Sequence, residues 1–445
     1  MKLKQLTITL LSFCVATFSA TKTAEAASFS VIADGLDNAG GLSFGPDGSL
    51  YVTEAGIGGN GNCVPPPSGQ GDSLCYGTTG AVTKIENGKT QRILTGLSSL
   101  ALPDGTGASG PRDIKFDATG LPYILLGYGA NPAFGDRLGD TELGNIITAD
   151  FQTNSWTSIV DLANYELVNN PDGSDLNSNP LSFLIDGDQL VAVDAGANDL
   201  LSVKTNGSDL QAIAVFPPDI LTNPVFPPSG SPSNEPAQVP SSNETPSLQF
   251  PSQAVPSGVT KGPDGAYYVS QFTGFPFPEG GAKIYRVGAD GQPTIYADGF
   301  TQLTDLEFDP EGNLYALQYA NESAWKGNLE GSLIKIAADG TRTTILSGNG
   351  LESPSAFTLG ADGAIYITNR GDRPGQGQVL RIENIQSVPE PNSALGALTL
   401  GGLGLVCLRK SSRSKPLVKK QGGRGQGAGE KNHPQFHSAL NLIFW

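Results

Sequence analysis

Histidine is almost missing. The 445-residue chain has two, His433 and His437, both close to its C-terminal end. A body without imidazole excludes His-based catalytic triads and His general bases. Cysteine is scarce too. Of four, Cys14 and Cys407 lie in hydrophobic terminal stretches, leaving only Cys63 and Cys75 in the body. Two thiols without histidine fall short of a four-ligand zinc site. Positive charge is also short, with 27 Lys and Arg against 43 Asp and Glu and a net charge of -16. Three cations precede residue 28 and eight follow Leu408, so the stretch between holds 16 bases against 41 acids. Tracking a phosphate backbone needs clustered Lys and Arg, so nucleic acid is excluded as a partner. At 16% charged and 38% hydrophobic residues, the chain is too apolar for an acidic disordered protein. It also lacks the Ala/Glu/Lys/Leu periodicity of a helical bundle. Glycine is abundant, at 58 residues, together with 32 prolines. Such a composition indicates a turn-dense all-β protein.

The two ends read as addresses. Lys2 and Lys4 precede an apolar stretch over Leu6 to Phe18 and then Ala24-Glu25-Ala26. This is the layout of a signal peptide over 1–27, with cleavage expected after Ala26 or Ala27. Near the other end, Val388-Pro389-Glu390-Pro391 leads into fifteen uncharged residues, Ala394 to Leu408, and then Arg409, Lys410, Arg413 and Lys415. Over 388–415 this order resembles the PEP-CTERM sorting signal of exopolysaccharide-producing bacteria. The resemblance implies a hydrophobic sorting helix, membrane association during sorting and processing by an exosortase-type enzyme. Release to the periplasm, cell surface or medium would follow. Residues 416–445 continue as a basic tail, expected to be disordered. In an exported protein, Cys63 and Cys75, with eleven residues between them in a Gly/Pro-rich loop, are expected to form a disulfide.

Self-similarity sets the fold. The stretch Gly41-Leu-Ser-Phe-Gly-Pro-Asp-Gly-Ser-Leu-Tyr-Val-Thr-Glu54 recurs at 113–126, 258–271, 305–318 and 356–369, with a worn copy at 182–194. Each copy is a strand, a turn carrying Gly after an acidic or polar residue, and a second strand. A third strand follows every copy and a fourth follows five of them. The sixth copy lacks its fourth, but Phe29-Ser-Val-Ile-Ala-Asp-Gly35 matches the fourth strand Pro293-Thr-Ile-Tyr-Ala-Asp-Gly299. We therefore expect a six-bladed β-propeller over 28–386. Its antiparallel blades are four-stranded, and the N-terminal strand completes the last one. The blades fall at about 41–95, 112–160, 181–216, 258–298, 304–347 and 355–385 plus 29–34. Closure removes the unpaired edges an open ring would leave. Residues 217–257, rich in proline, read as an extended excursion, and 55–80 as a second one pinned by the cysteines.

Three stretches carry a family resemblance: Gln253 to Arg286, Asn179 to Leu201, and Gly299 to Phe308, with Thr273–Pro278 its most specific part. They resemble the ScyD/ScyE family over about 29–385. The resemblance implies an NHL/SMP-30-like propeller in the cell envelope. Named members are associated with late periplasmic steps in the synthesis of scytonemin, an indolic-phenolic cyanobacterial sunscreen. It implies no catalytic residues.

Aligning the copies places Glu54, Leu126, Asp194, Gln271, Gln318 and Asn369 at one rung, the end of the second strand. Asp113 and Asp305 open the first strand in two copies. If this rung rims the central channel, these acids and amides form a negative, hydrogen-bonding funnel. Such a funnel suits Ca²⁺ or another divalent cation, at Glu54 and Asp194, or a polar ligand. The competing reading is that they cap local backbone. Phe275, in the aromatic and proline-rich loop after Gln271, is a candidate stacking surface for an indole, a phenol or a sugar; packing between blades is the alternative. A metal-dependent lactonase of the SMP-30 type needs acids just before later first strands. Arg112, Leu181, Ser257, Thr304 and Ser355 stand there instead. The reading that follows is a monomeric exported propeller that binds a small molecule, a saccharide or an envelope protein at one face. A lactonase-like enzyme and a structural matrix protein are the alternatives.

Overall fold

The computed structural model describes residues 28–69, 71–228 and 247–383. Ala26, Ala27, Val388, Pro389, Glu390, Pro391 and the tail lie outside them. Six antiparallel sheets form the blades, each taking its four blade strands in chain order with one exception, and blade one adds a short fifth strand over 63–64. Blade one uses 39–44, 50–54, 74–86 and 89–101; blade two 111–116, 122–126, 145–150 and 155–161. Blade three follows over 180–215, blade four over 256–300 and blade five over 303–352. Blade six is the exception: 356–359, 365–369 and 377–383 are completed by 28–36. Phe29 pairs with Ile382 and Ala33 with Val379, antiparallel, as closure requires. The first strands of successive blades touch in a closed ring, blade six returning to blade one.

The repeat motif is explained by its turn. Gly48, Gly265 and Gly363 sit at φ of 76°, 80° and 77°, where a Cβ is strained. The preceding aspartate is a structural hub: Asp47 accepts from Ser49 N and Tyr51 Oη at 3.0 Å and pairs with Lys84 at 2.8 Å. Asp264 and Asp362 repeat this with Tyr268 and Arg286, and with Tyr366 and Arg381. Burial alone would raise the Asp47 carboxyl, but the bonds from Lys84, Ser49 and Tyr51 outweigh it and hold its pKa at about 2. The Pro-Asp-Gly…Tyr signature therefore ties second and third strands together. Blade three is out of step because its hairpin has a two-residue loop, Asp186 pairing with Gln189.

The core is divided among the blade junctions. Tyr51, Val82 and Leu94 of blade one pack on Ile114, Ile124 and Leu126 of blade two. Equivalent clusters fill the other five junctions, the last joining Ala33, Leu36 and Tyr366 of blade six to Leu42, Leu50 and Val52 of blade one. Each fully buried aliphatic side chain contributes about 1.5–3 kcal/mol.

The described parts of both excursions include strand. Residues 55–80 are partly strand: blade one's third and fourth strands extend to 74–86 and 89–101, and Cys63–Val64 pairs with 74–75. Cys63 and Cys75 are disulfide-bonded. This extension shares a satellite core with blade two's long loop and the helix 162–169, through Val64, Leu74, Leu100, Tyr128 and Ala163. In the Pro-rich excursion, 219–222 and 249–252 form an antiparallel pair.

Candidate functional site

The rung at the ends of the second strands is real but does not face the channel. Asp37 N donates to Glu54 Oε2 at 2.8 Å, Asn179 N to Asp194 at 2.6 Å, Thr301 N to Gln318 at 2.8 Å and Glu352 N to Asn369 at 2.8 Å. Each donor lies on or at the start of the connection entering the same blade's first strand, so these side chains cap its backbone. Gln271 uses its amide instead on Asp219 of the Pro-rich excursion, at 2.9 Å. Glu54 is further occupied by Thr83 Oγ1 at 2.5 Å and by Arg92 Nε at 2.9 Å. Asp194 also accepts from Ser178 Oγ at 2.6 Å and from the N–H groups of Gly196 and Ala197 at 3.0 and 3.1 Å. A negative funnel at this rung is thus replaced by saturated caps. Glu54 and Asp194 have little left to offer a cation, so an SMP-30-type ligand set does not fit this chain. Phe275 packs on Phe226 and Phe250, at ring-centroid distances of 5.7 and 6.2 Å, and so anchors the Pro-rich excursion.

What lines the channel is the first strand of each blade, and here Asp113 and Asp305 do appear. Blades two and five stand across the ring from each other, so these two acids face each other. Their settings match. Asp113 Oδ2 accepts from Phe183 N of blade three at 3.1 Å; Asp305 Oδ2 accepts from Phe357 N of blade six at 3.0 Å. Each carboxylate therefore bridges its own blade to the next. The preceding blade makes room with a glycine: a Cβ on Gly41 would lie 2.3 Å from Asp113 Oδ1, and one on Gly258 2.9 Å from the Asp305 Cα.

One step down the lumen are Lys115 and Glu307. Lys115 Nζ pairs with Asp113 at 2.8 Å, and Glu307 accepts from Leu359 N at 3.2 Å. Lys115 keeps a third of its side-chain surface open and lines the channel. Burial raises Asp305 to about 7, against the pull of Lys115 and the Phe357 N–H. Burial and then the repulsion of Asp305 raise Glu307 to about 7.

Above these acids the channel opens into a cavity of about 140 Å³. At the start of the first strand the register slips by one residue in blades two to five, leaving Arg112, Leu181, Ser257 and Thr304 unpaired as bulges. With Gly40 and Ser355, all line the mouth. Three of these residues staple neighbouring blades. Ser257 donates to Leu303 O at 2.7 Å, Thr304 to Pro354 O at 3.3 Å and Ser355 to Ala39 O at 2.7 Å.

Arg112 does none of this. Among the described residues its side chain has no hydrogen bond and no ion pair, and its Nε is buried without a partner. Burial with no acid nearby lowers its pKa to about 10. Phe272 and Tyr319 line the same cavity in edge contact at 5.5 Å, with Tyr319 Oη bonded to Asp372 at 2.9 Å. Sequence reasoning tested Arg112 only as a missing acid. The signal was available: it is the one cation among the six residues at that position.

The fold and this mouth define a six-bladed β-propeller with a cavity at the mouth of its channel. No protein-family model matches the chain, and no curated protein is similar to it. Solved structures with a similar fold include a gluconolactonase of Xanthomonas campestris, at 10% identity over 80% of this chain and 89% of that one, TM-score 0.44. A calcium-binding regucalcin of Agrobacterium tumefaciens is 12% identical over 82% and 95%, TM-score 0.44. Virginiamycin B lyase of Staphylococcus aureus is 14% identical over 80% and 99%, TM-score 0.40. At these identities only the blade arrangement is shared.

Proposed function

We propose that the chain is an exported ScyD/ScyE-like propeller that binds a small organic anion, a carboxylate carrying an aromatic ring, in the channel mouth. The observation that carries this reading is Arg112, an unpaired guanidinium lining a cavity in a chain whose net charge is -16. A guanidinium offers a two-pronged donor set matched to a carboxylate, and the Nε of this one is buried without a partner. Phe272 supplies an apolar wall for a ring on the same side, and the serine and threonine hydroxyls offer further polar contacts. The resemblance described above supports indolic or phenolic metabolites as the class, within late envelope steps of scytonemin-type synthesis. Export and sorting through the two terminal segments belong to the same proposal.

The hydrolase reading would draw on channel acids such as Asp305 and Glu307, each of which already accepts a backbone hydrogen bond. Calorimetric titration with indole-3-acetate and 4-hydroxyphenylacetate, beside their neutral amides, tests the binding reading. The acids bind and the amides do not, and Arg112→Leu weakens the acids at least tenfold. Equal binding of acids and amides, or of both proteins, sinks it.

A further inference from the structure

Away from the channel, between blades two and three, a group of buried oxygens lacks partners. Asp199 is wholly buried and Glu166 is 1% exposed, and all four of their carboxylate oxygens have no hydrogen bond. Asn179, also wholly buried, leaves both ends of its amide unpartnered, and the side-chain oxygens of Asn177 and Asn170 are orphaned as well. Eight of the fifteen orphaned side-chain atoms among the described residues thus fall between 166 and 199. Buried polar groups are normally paired, and a buried charge without a counter-charge costs several kcal/mol.

Three segments bring these groups together. Glu166 projects inward from the helix 162–169, which Asp161 caps and Asn170 ends in the left-handed conformation. The loop 170–179, rich in Asn, Asp and Ser, is folded by its own bonds: Asn170 Nδ2 to Ser174 O and Ser174 N to Asp172 Oδ1, at 2.9 and 2.8 Å. It lies directly on the turn after blade three's second strand, since a Cβ on Gly196 would come within 2.9 Å of the Asn177 carbonyl. Asp194 holds the two together through Ser178 and Asn179 N. Asp199 pairs in register with Asp194 across the strands. Asp194, Glu166 and Asp172 act electrostatically on Asp199, and Asp194 and Asp172 on Glu166. No Lys or Arg among the described residues pairs with any of these four acids.

We propose that this junction binds one Ca²⁺, with Asp199 and Glu166 as charged ligands and the side-chain oxygen of Asn177 as a neutral one. Calcium takes six to eight oxygens and accepts carboxylates, amide carbonyls and water in flexible geometry. Two carboxylates neutralise it, which suits a buried site. Among the described residues no three acid side chains converge as a metal group, and this shell does not need a third, because the Asn177 oxygen and water would complete it. The Asn177 N–H is the nearest donor to Glu166 but makes no hydrogen bond of good geometry. Burial first, and then the neighbouring acids, push Asp199 well above the usual carboxylate range and Glu166 to about 7, the cost a cation would relieve. The ion would lock helix, loop and turn together beside the mouth without entering it.

Thermal unfolding of the purified chain in EDTA, 2 mM Ca²⁺ or 2 mM Mg²⁺ tests this. With Kd on the order of 10⁻⁴ M, Ca²⁺ raises Tm by about 3 °C, Mg²⁺ by much less, and titration gives one ion per chain. Asp199→Asn and Glu166→Gln, near-isosteric and neutral, each fold in EDTA and lose the calcium shift. No shift in the unmodified protein overturns the proposal, whatever the variants do. An equal shift with Mg²⁺, or one retained by both variants, also overturns it.

Discussion

At the scale of single residues, identical chemistry serves different ends according to what surrounds it. Glu54 is buried and spends its charge on Arg92, Thr83 and a backbone N–H. Arg92→Ala therefore strands a buried carboxylate and costs about 2–4 kcal/mol in chemical denaturation. The aromatic-acid affinity of the mouth is unchanged, because Glu54 does not line it. Gly41 is required for space: Gly41→Ala puts a methyl against Asp113 and costs about 1–3 kcal/mol, read as a lower denaturation midpoint. That Glu54, Asp194, Gln318 and Asn369 are equivalent was legible in the aligned repeats. Capping was one of two readings open there, beside the funnel, and only the structure chose it, because a side chain at a strand end takes whichever donors the neighbouring connection presents. Arg112 was legible as the one cation at its position in the repeat, but its missing partner is visible only when every neighbour is placed.

At the scale of elements, the repeat is the legible unit, because strand, turn glycine and strand are encoded within fourteen residues and every copy restates them. The excursions are harder. Residues 55–80 carry glycine and proline but extend blade one's strands, because Leu74, Leu100 and Val64 find a core on blade two's long loop and the helix after it. The disulfide pins Cys63–Val64 to this extension. Cys63→Ser with Cys75→Ser costs about 2–3 kcal/mol and makes residues 55–75 the first site of limited proteolysis. Phe275 shows the same dependence: its aromatic character was apparent, but its partners Phe226 and Phe250 come from the far ends of the Pro-rich excursion.

At the scale of the whole molecule, stability depends on closing the ring. Deleting residues 28–36 opens blade six along a full strand edge, and that variant unfolds or associates at low denaturant, seen in light scattering and circular dichroism. The lumen adds a pH dependence. Asp305 and Glu307 titrate near 7 in the fold but near 4 in the unfolded chain, so between those values the folded state holds more protons. Stability therefore falls as pH rises from about 4 to 7 and then levels, read as a declining Tm. Asp305→Asn flattens part of that slope.

Six units, their order, the strand that closes the ring and the glycines at its turns were written in the sequence. Each is local and is repeated along the chain, so a periodic pattern suffices to read it. Which polar groups are spent and which are left over is another matter. Capping, stapling across blades, an unpaired Arg112 and the orphaned oxygens around Asp199 depend on segments far apart in the chain meeting at a buried junction. Only the packed ring decides which donor reaches which acceptor, because out of water every such bond excludes another.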